Sequence, residues 1–227
     1  MRRRTKVLIG VASGVVVLGA AGVIGGPVIY ANVVNGAADA APTLAPTGGA
    51  TLDPAQADGD WTSSADSFAG YRVHEVLRGQ DVTVTGRTKD VEARATVADG
   101  SLTGATVTVQ VASIATPESA RDEYFRSQAL QTDRFPTATF RVTDPVDVRT
   151  ALAGTDRQVT LRGDLTMHGV TKPVSADAQL GVDGSGHVQV AGSILVTFED
   201  YGVQAPDLGF VTVDGHGAVE FSLELAK

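Results

Sequence analysis

Few residues in this chain are of a type and spacing that could do chemistry. The four histidines, His74, His168, His187 and His216, are scattered, and no two stand at a metal-ligand spacing. Cysteine is absent, which removes thiolate metal sites, a cysteine nucleophile, disulfides and a lipidated cysteine. Ser127, His168 and Asp122 make a Ser-His-Asp set on paper, but no nucleophile-elbow sequence surrounds the serine. Arg121-Asp122 is the one candidate for a polar pair at a pocket mouth. His168 reads as a residue that holds a hairpin turn through a side-chain hydrogen bond, and His74 as solvated. Gly100, Gly104 and Gly184 suit turns, with no phosphate-binding context around them. The expectation is therefore no catalytic residue, no metal, no cofactor and no enzyme.

The elements that carry these residues are strands. Tyr71, Val73 and Leu77 alternate with Arg72, His74 and Val76; Val107, Val109 and Val111 alternate with Thr106, Thr108 and Gln110. Val159, Leu161, Gly163, Leu165 and Met167 share one side of a run whose other side is Gln158, Thr160, Arg162, Asp164 and Thr166. Further strands are predicted at Val82–Val84, Val91–Ala98, Ala138–Val142, Val174–Leu180, Val188–Phe198 and Val219–Leu225. Asp99-Gly100, His168-Gly169, Asp183 to Gly186 and Asp214-Gly215 supply turns. The order predicts an all-β antiparallel meander closed into an up-and-down β-barrel, with a two-sheet sandwich as the alternative. One short helix interrupts the series near a barrel mouth, from a Thr116 cap and Pro117 to about Leu130.

The inward stripes are mostly Val, Leu, Ala and Gly, and aromatics make up only 5% of the chain, so a barrel of this size is expected to keep a cavity. Its expected lining is Tyr71, Val73, Val107, Val109, Phe125, Phe140, Leu161, Leu165, Met167, Ile194, Val196, Phe198 and Phe221. A long apolar chain placed there gains roughly 25 cal/mol for each Å² removed from water.

The first sixty residues differ from the rest. Residues 1–6 form a basic tail of Arg2, Arg3, Arg4 and Lys6, and residues 7–31 are uncharged over a length that crosses a bilayer as one N-terminal transmembrane helix. The positive-inside rule puts the remainder outside the cytoplasm, in the cell envelope. A cleaved signal peptide and a secreted protein are the alternative, since Ala38-Asp39-Ala40 is a small-x-small site. Gly10, Gly14, Gly22 and Gly26 share a helical face that would suit a homodimer, although small residues are common in membrane helices and Leu18 interrupts the stripe. Residues 32–59, rich in Ala, Pro, Gly and Thr without period, read as a flexible linker. Residues 60–227 are left as one domain. Beyond the basic tail the chain carries 14 Lys and Arg against 26 Asp and Glu, which excludes nucleic acid as a partner.

The hairpin Gly163-Asp164-Leu165-Thr166-Met167-His168-Gly169-Val170-Thr171-Lys172-Pro173-Val174, with Phe135-Pro136-Thr137-Ala138-Thr139-Phe140 and Arg121-Asp122, resembles the YceI-like family over about residues 60–227. Two positions depart from the family pattern: Ala129-Leu130-Gln131 replace an aromatic pair, and Asp66-Ser67 replaces a frequent His-Ser. The resemblance implies a lipocalin-like barrel that holds an isoprenoid or other long-chain lipid without catalysis. The resulting expectation is a membrane-tethered carrier or sequestering module. An envelope-stress or protein-interaction module without a ligand is the rival reading, and a well-packed interior would favour it.

Overall fold

The computed structural model describes residues 38–45, 49–155 and 157–227. The expected basic tail 1–6, the apolar segment 7–31 and residues 32–37 of the expected linker lie outside the described residues. Among the described residues no helix is long and apolar enough to cross a membrane.

Among the described residues, eleven strands join in one antiparallel sheet: β1 Gly59–Ser63, β2 Phe68–Leu77, β3 Gln80–Thr88, β4 Val91–Ala98, β5 Ser101–Gln110, β6 Thr137–Val142, β7 Val146–Asp147, β8 Gln158–Met167, β9 Val170–Val182, β10 Val188–Thr197 and β11 Val211–Ala226. Eight of them close a ring in the order β1-β4-β5-β6-β8-β9-β10-β11, because the end of β11 also pairs with β1 through Thr62↔Ala226 and Ser63↔Leu225. The fold is thus the antiparallel barrel, and the sandwich is excluded.

The ring closes fully at one end only. β11 spends its C-terminal end on β1 and its length from Val211 to Ser222 on β2, and β3 continues from β2 as an outer hairpin. The expected meander is therefore broken between β3 and β4. β1 and β2 are one strand interrupted at a corner, and β1 takes the edge of β4 that β3 would have used. Ser67, only 1% exposed, fixes that corner: its hydroxyl accepts from the Glu224 N–H at 3.0 Å and donates to the Glu224 carbonyl at 3.3 Å.

Three hairpins turn on two residues, Arg78-Gly79, Asp99-Gly100 and His168-Gly169, with both residues of each pair at positive φ. This is the turn whose twist matches that of paired strands, and its second position favours glycine. Gly169 is doubly constrained, since a Cβ there would also strike the Phe135 ring at 2.5 Å. Asp214-Gly215, expected as a turn, lies inside β11, where the register with β2 shifts between Val213 and Gly217. Pairing with β2 on both sides, through Val211–Val213 and Gly217–Ser222, carries the strand across the local turn signal there.

The short helices are α1 Pro54–Ala57, α2 Ser119–Tyr124 and α3 Arg149–Leu152. α2 starts later than expected. Glu118 is its N-cap, while Thr116 precedes it and ties the approach down by accepting from the Glu118 N–H at 3.2 Å and donating to Asp122 Oδ1 at 2.8 Å. The helix then widens into one π-helical turn, Phe125–Ala129, in which the Leu130 N–H reaches the Phe125 carbonyl at 2.9 Å.

The stretch expected as a flexible linker touches the barrel at several of its described positions. Asp39 donates its N–H to Thr85 Oγ1 at 3.0 Å, and its carbonyl accepts from Arg72 Nη2 at 2.7 Å. Leu52 N–H donates to the Leu152 carbonyl at 3.0 Å, and Ala57 is 1% exposed beneath Trp61, whose Nε1 donates to the Ala57 carbonyl at 2.8 Å. The segment has no period because it docks residue by residue as a strap, with Asp39 on the outer wall and Ala57 in the core at the closed end.

Candidate ligand cavity

Alternation along the strands sends one set of side chains into the barrel. On β8 the inward residues Val159, Leu161, Gly163, Leu165 and Met167 are all buried, as are Ala176, Ala178 and Leu180 opposite them on β9. These side chains do not fill the interior, which holds two adjoining cavities. The smaller, about 110 Å³, occupies the closed end between Trp61, Leu102, Val142, Val148 and Leu152. The larger, about 510 Å³, lies toward the open end under α2 and its π-helical turn, and is of the size that takes a small molecule or part of a chain. Ala69, Val109, Ala138 and Val219 line both, so the two spaces share a wall of small side chains.

All thirteen residues expected to line the interior are on these walls. Val107, Val109, Phe140, Leu161, Leu165, Ile194 and Phe221 line the smaller cavity. Tyr71, Val73, Phe125, Met167, Val196 and Phe198 line the larger, together with Val109. Tyr71 and Phe125 stack with ring centroids 5.2 Å apart, and the bare Cα of Gly86 on β3 leaves room for the tyrosine ring, which a Cβ would meet at 2.5 Å. Burial pushes the Tyr71 phenol up to about 12, against a lowering by Arg121 and a further raising by Asp122 and Glu75. At the rim of the larger cavity Leu208 and Phe210 are 53% and 54% exposed.

The polar pair at this cavity differs from the one expected. Arg121 turns toward β2, where its Nη2 donates to Glu75 Oε1 at 2.9 Å. Asp122, 8% exposed, faces the other way and accepts from the Thr116 N–H at 3.0 Å and the Thr116 hydroxyl. Glu75 was missed, although its position in the inward series 71, 73, 75, 77 was a readable signal: an acid at an apolar phase. Trp61, Ala69, Ala138 and Val219 were missed as well.

The paper triad is not assembled. Ser127 Oγ is exposed and donates to the Glu123 carbonyl at 2.8 Å, Asp122 is engaged by Thr116, and His168 Nδ1 lies 3.0 Å from the Tyr201 carbonyl. His187 sits between Asp183 and Glu224, with Nδ1 at 2.9 Å from Glu224 Oε1 and 3.5 Å from Asp183 Oδ2, a grouping made across β11 that no sequence spacing reveals. Its members pair with one another, and Asp183 Oδ1 caps its own turn by accepting from Ser185 and His187 N–H.

A closed antiparallel barrel with an apolar interior and a helix across its wider end is a lipocalin-like architecture. Residues 61–225 match the YceI-like domain, and the chain belongs to that family. It is 32% identical over 104 residues to a UPF0312 protein of Vibrio cholerae, across 43% of this chain and 52% of that one. It is 40% identical over 75 residues to protein YceI of Escherichia coli, across 33% of this chain and 36% of that one. The chain thus spans about half the length, or less, of these curated relatives. Among solved structures it resembles a polyisoprenoid binding domain from Saccharophagus degradans implicated in plant cell wall breakdown, with TM-score 0.58, 20% identity and coverage of 73% of this chain and 97% of that one. Burkholderia cenocepacia BcnA aligns with TM-score 0.56 and 17% identity over 73% and 99%.

Proposed function

We propose that this protein is an extracytoplasmic, membrane-tethered binder that sequesters or carries an isoprenoid-type or other long-chain lipid inside the barrel, without catalysing a reaction on it. The observation that carries the reading is the pair of adjoining, largely apolar cavities, about 510 and 110 Å³, which share a wall of small side chains. A chain lying through both would be removed from water along its length, which gives affinity without a strong polar anchor. The exposed Leu208 and Phe210 at the rim suit loading from an apolar phase, and the uncharged segment 7–31 suits attachment to one. Similarity in fold to a polyisoprenoid binding domain agrees with this ligand class. The unfilled interior weighs against a module that works by its surface alone. Mass spectrometry of an organic extract of the gently purified full chain is the test: a retained long-chain lipid is expected, and an extract free of lipid from protein purified without detergent stripping sinks the reading.

A further inference from the structure

The larger cavity is mostly apolar, and its charged lining includes one buried ion pair. Glu75 and Arg121 meet there at 2.9 Å, with their side chains 3% and 19% exposed. Glu118 also lines this cavity, its carboxylate held at the start of α2 by the Ala120 N–H at 3.2 Å. The lining residues therefore include the buried Glu75 and the more exposed Glu118 beside one guanidinium, and Asp122 adds a negative charge near enough to raise the Tyr71 phenol. Tyr71, Tyr124 and Gln204, whose side chains carry uncharged hydrogen-bonding groups, are on the same lining.

On the reading that the barrel holds a long-chain lipid, we propose that the cavity selects chains whose head is uncharged and hydrogen-bonding, a hydroxyl or a carbonyl, and rejects chains headed by phosphate or pyrophosphate. An anionic head brought to Arg121 must share that cation with Glu75. The two negative groups then face each other where little water screens them, so the repulsion is several times stronger than at a surface. Arg121 is thus a compensated cation, unlike the arginine clusters that bind phosphate. An uncharged head brings no such repulsion and finds donors and acceptors of its own kind. The tyrosine hydroxyl beside the pair stays protonated through neutral pH, since burial holds its ionisation near 12.

The test compares farnesol with farnesyl pyrophosphate, which share one tail and differ in the head, by titration of the full chain without divalent cations. Trp61 on the wall of the smaller cavity serves as the fluorescent reporter. Farnesol is expected to bind at least tenfold tighter. In Glu75→Gln the preference should shrink at least tenfold, because Arg121 is less compensated; in Arg121→Gln, with both carboxylates left, it should widen. Equal or tighter binding of the pyrophosphate by the unaltered protein overturns the proposal, and that comparison needs no variant to fold. Failure to bind either ligand overturns the lipid-pocket reading itself, and this inference with it.

Discussion

His168 holds its hairpin by reaching out of it: its Nδ1 lies 3.0 Å from the carbonyl of Tyr201, 33 residues away, and a carbonyl only accepts, so this nitrogen carries the proton. The ring also meets Phe135 edge-on, with centroids 4.7 Å apart. The histidine therefore ties the β8–β9 turn to the short 3₁₀ turn Phe198–Tyr201 that follows β10. It lies on the wall of neither cavity. His168→Ala should lower stability by about 1–3 kcal/mol, read as a fall in Tm, because a buried carbonyl loses its donor. Lipid affinity of the folded fraction should stay within about threefold of the parent by titration. Loss of binding at unchanged Tm would place the ligand at this hairpin instead of inside the barrel.

Gly163 is an inward position on β8 with no side chain, and a Cβ there would strike the Arg141 carbonyl and meet the Phe140 ring at 2.9 Å. Backbone oxygen does not move aside as a flexible side chain would. Gly163→Ala should therefore destabilise by about 1–3 kcal/mol in a denaturant titration, although alanine favours no other conformation here. A neutral result would mean that β6 and β8 sit farther apart than described.

Glu220, 4% exposed on β11, receives Arg72 and faces Arg87 Nη2 at 3.8 Å, while Arg87 Nε lies 3.4 Å from Asp39 of the strap. Glu220→Ala leaves two arginines against one another and should cost about 3 kcal/mol. Hydrogen exchange of the Asp39 and Ala45 amides, which donate to Thr85 and Gln189, should speed up in this variant before that of the barrel strands. Equal protection would show that the strap is held by something other than this network.

The pH response of Tyr71 has a fixed sign. Its phenol is raised from 10.0 to about 12 in the folded protein, so between those values the unfolded chain loses a proton that the folded one keeps. Stability from this group is complete below pH 10 and is lost as pH rises toward 12. Tyr71→Phe should flatten the alkaline fall in Tm across that window. An unchanged alkaline limb in Tyr71→Phe would mean that the phenol is more solvated than its stack with Phe125 implies.

Much of this arrangement was legible because a strand has period two. Once Leu161 and Leu165 are assigned inward, the position of every residue on β8 follows, and the same rule placed the expected lining residues of the strands on cavity walls, while Phe125, in the π-helical turn, followed from the apolar face of the helix. Long-range choices left no such trace. Nothing local tells β4 to pair with β1 instead of β3, or Arg121 to turn to Glu75, 46 residues earlier, instead of to its neighbour Asp122. The strap was unreadable for a related reason. Leu52 and Ala57 dock singly, and single contacts have no period.

Val109 stands on the wall common to both cavities, which makes it the position where one added side chain blocks most of the proposed path. Native mass spectrometry of the gently purified full chain beside its Val109→Phe variant, each with a melting curve to bound an overpacking cost of about 1–3 kcal/mol, tests the lipid-in-barrel account most directly. The account predicts a lipid-sized mass increment on the parent that is absent from a variant still folded. A parent without the increment, or a folded variant that keeps it undiminished, would contradict it.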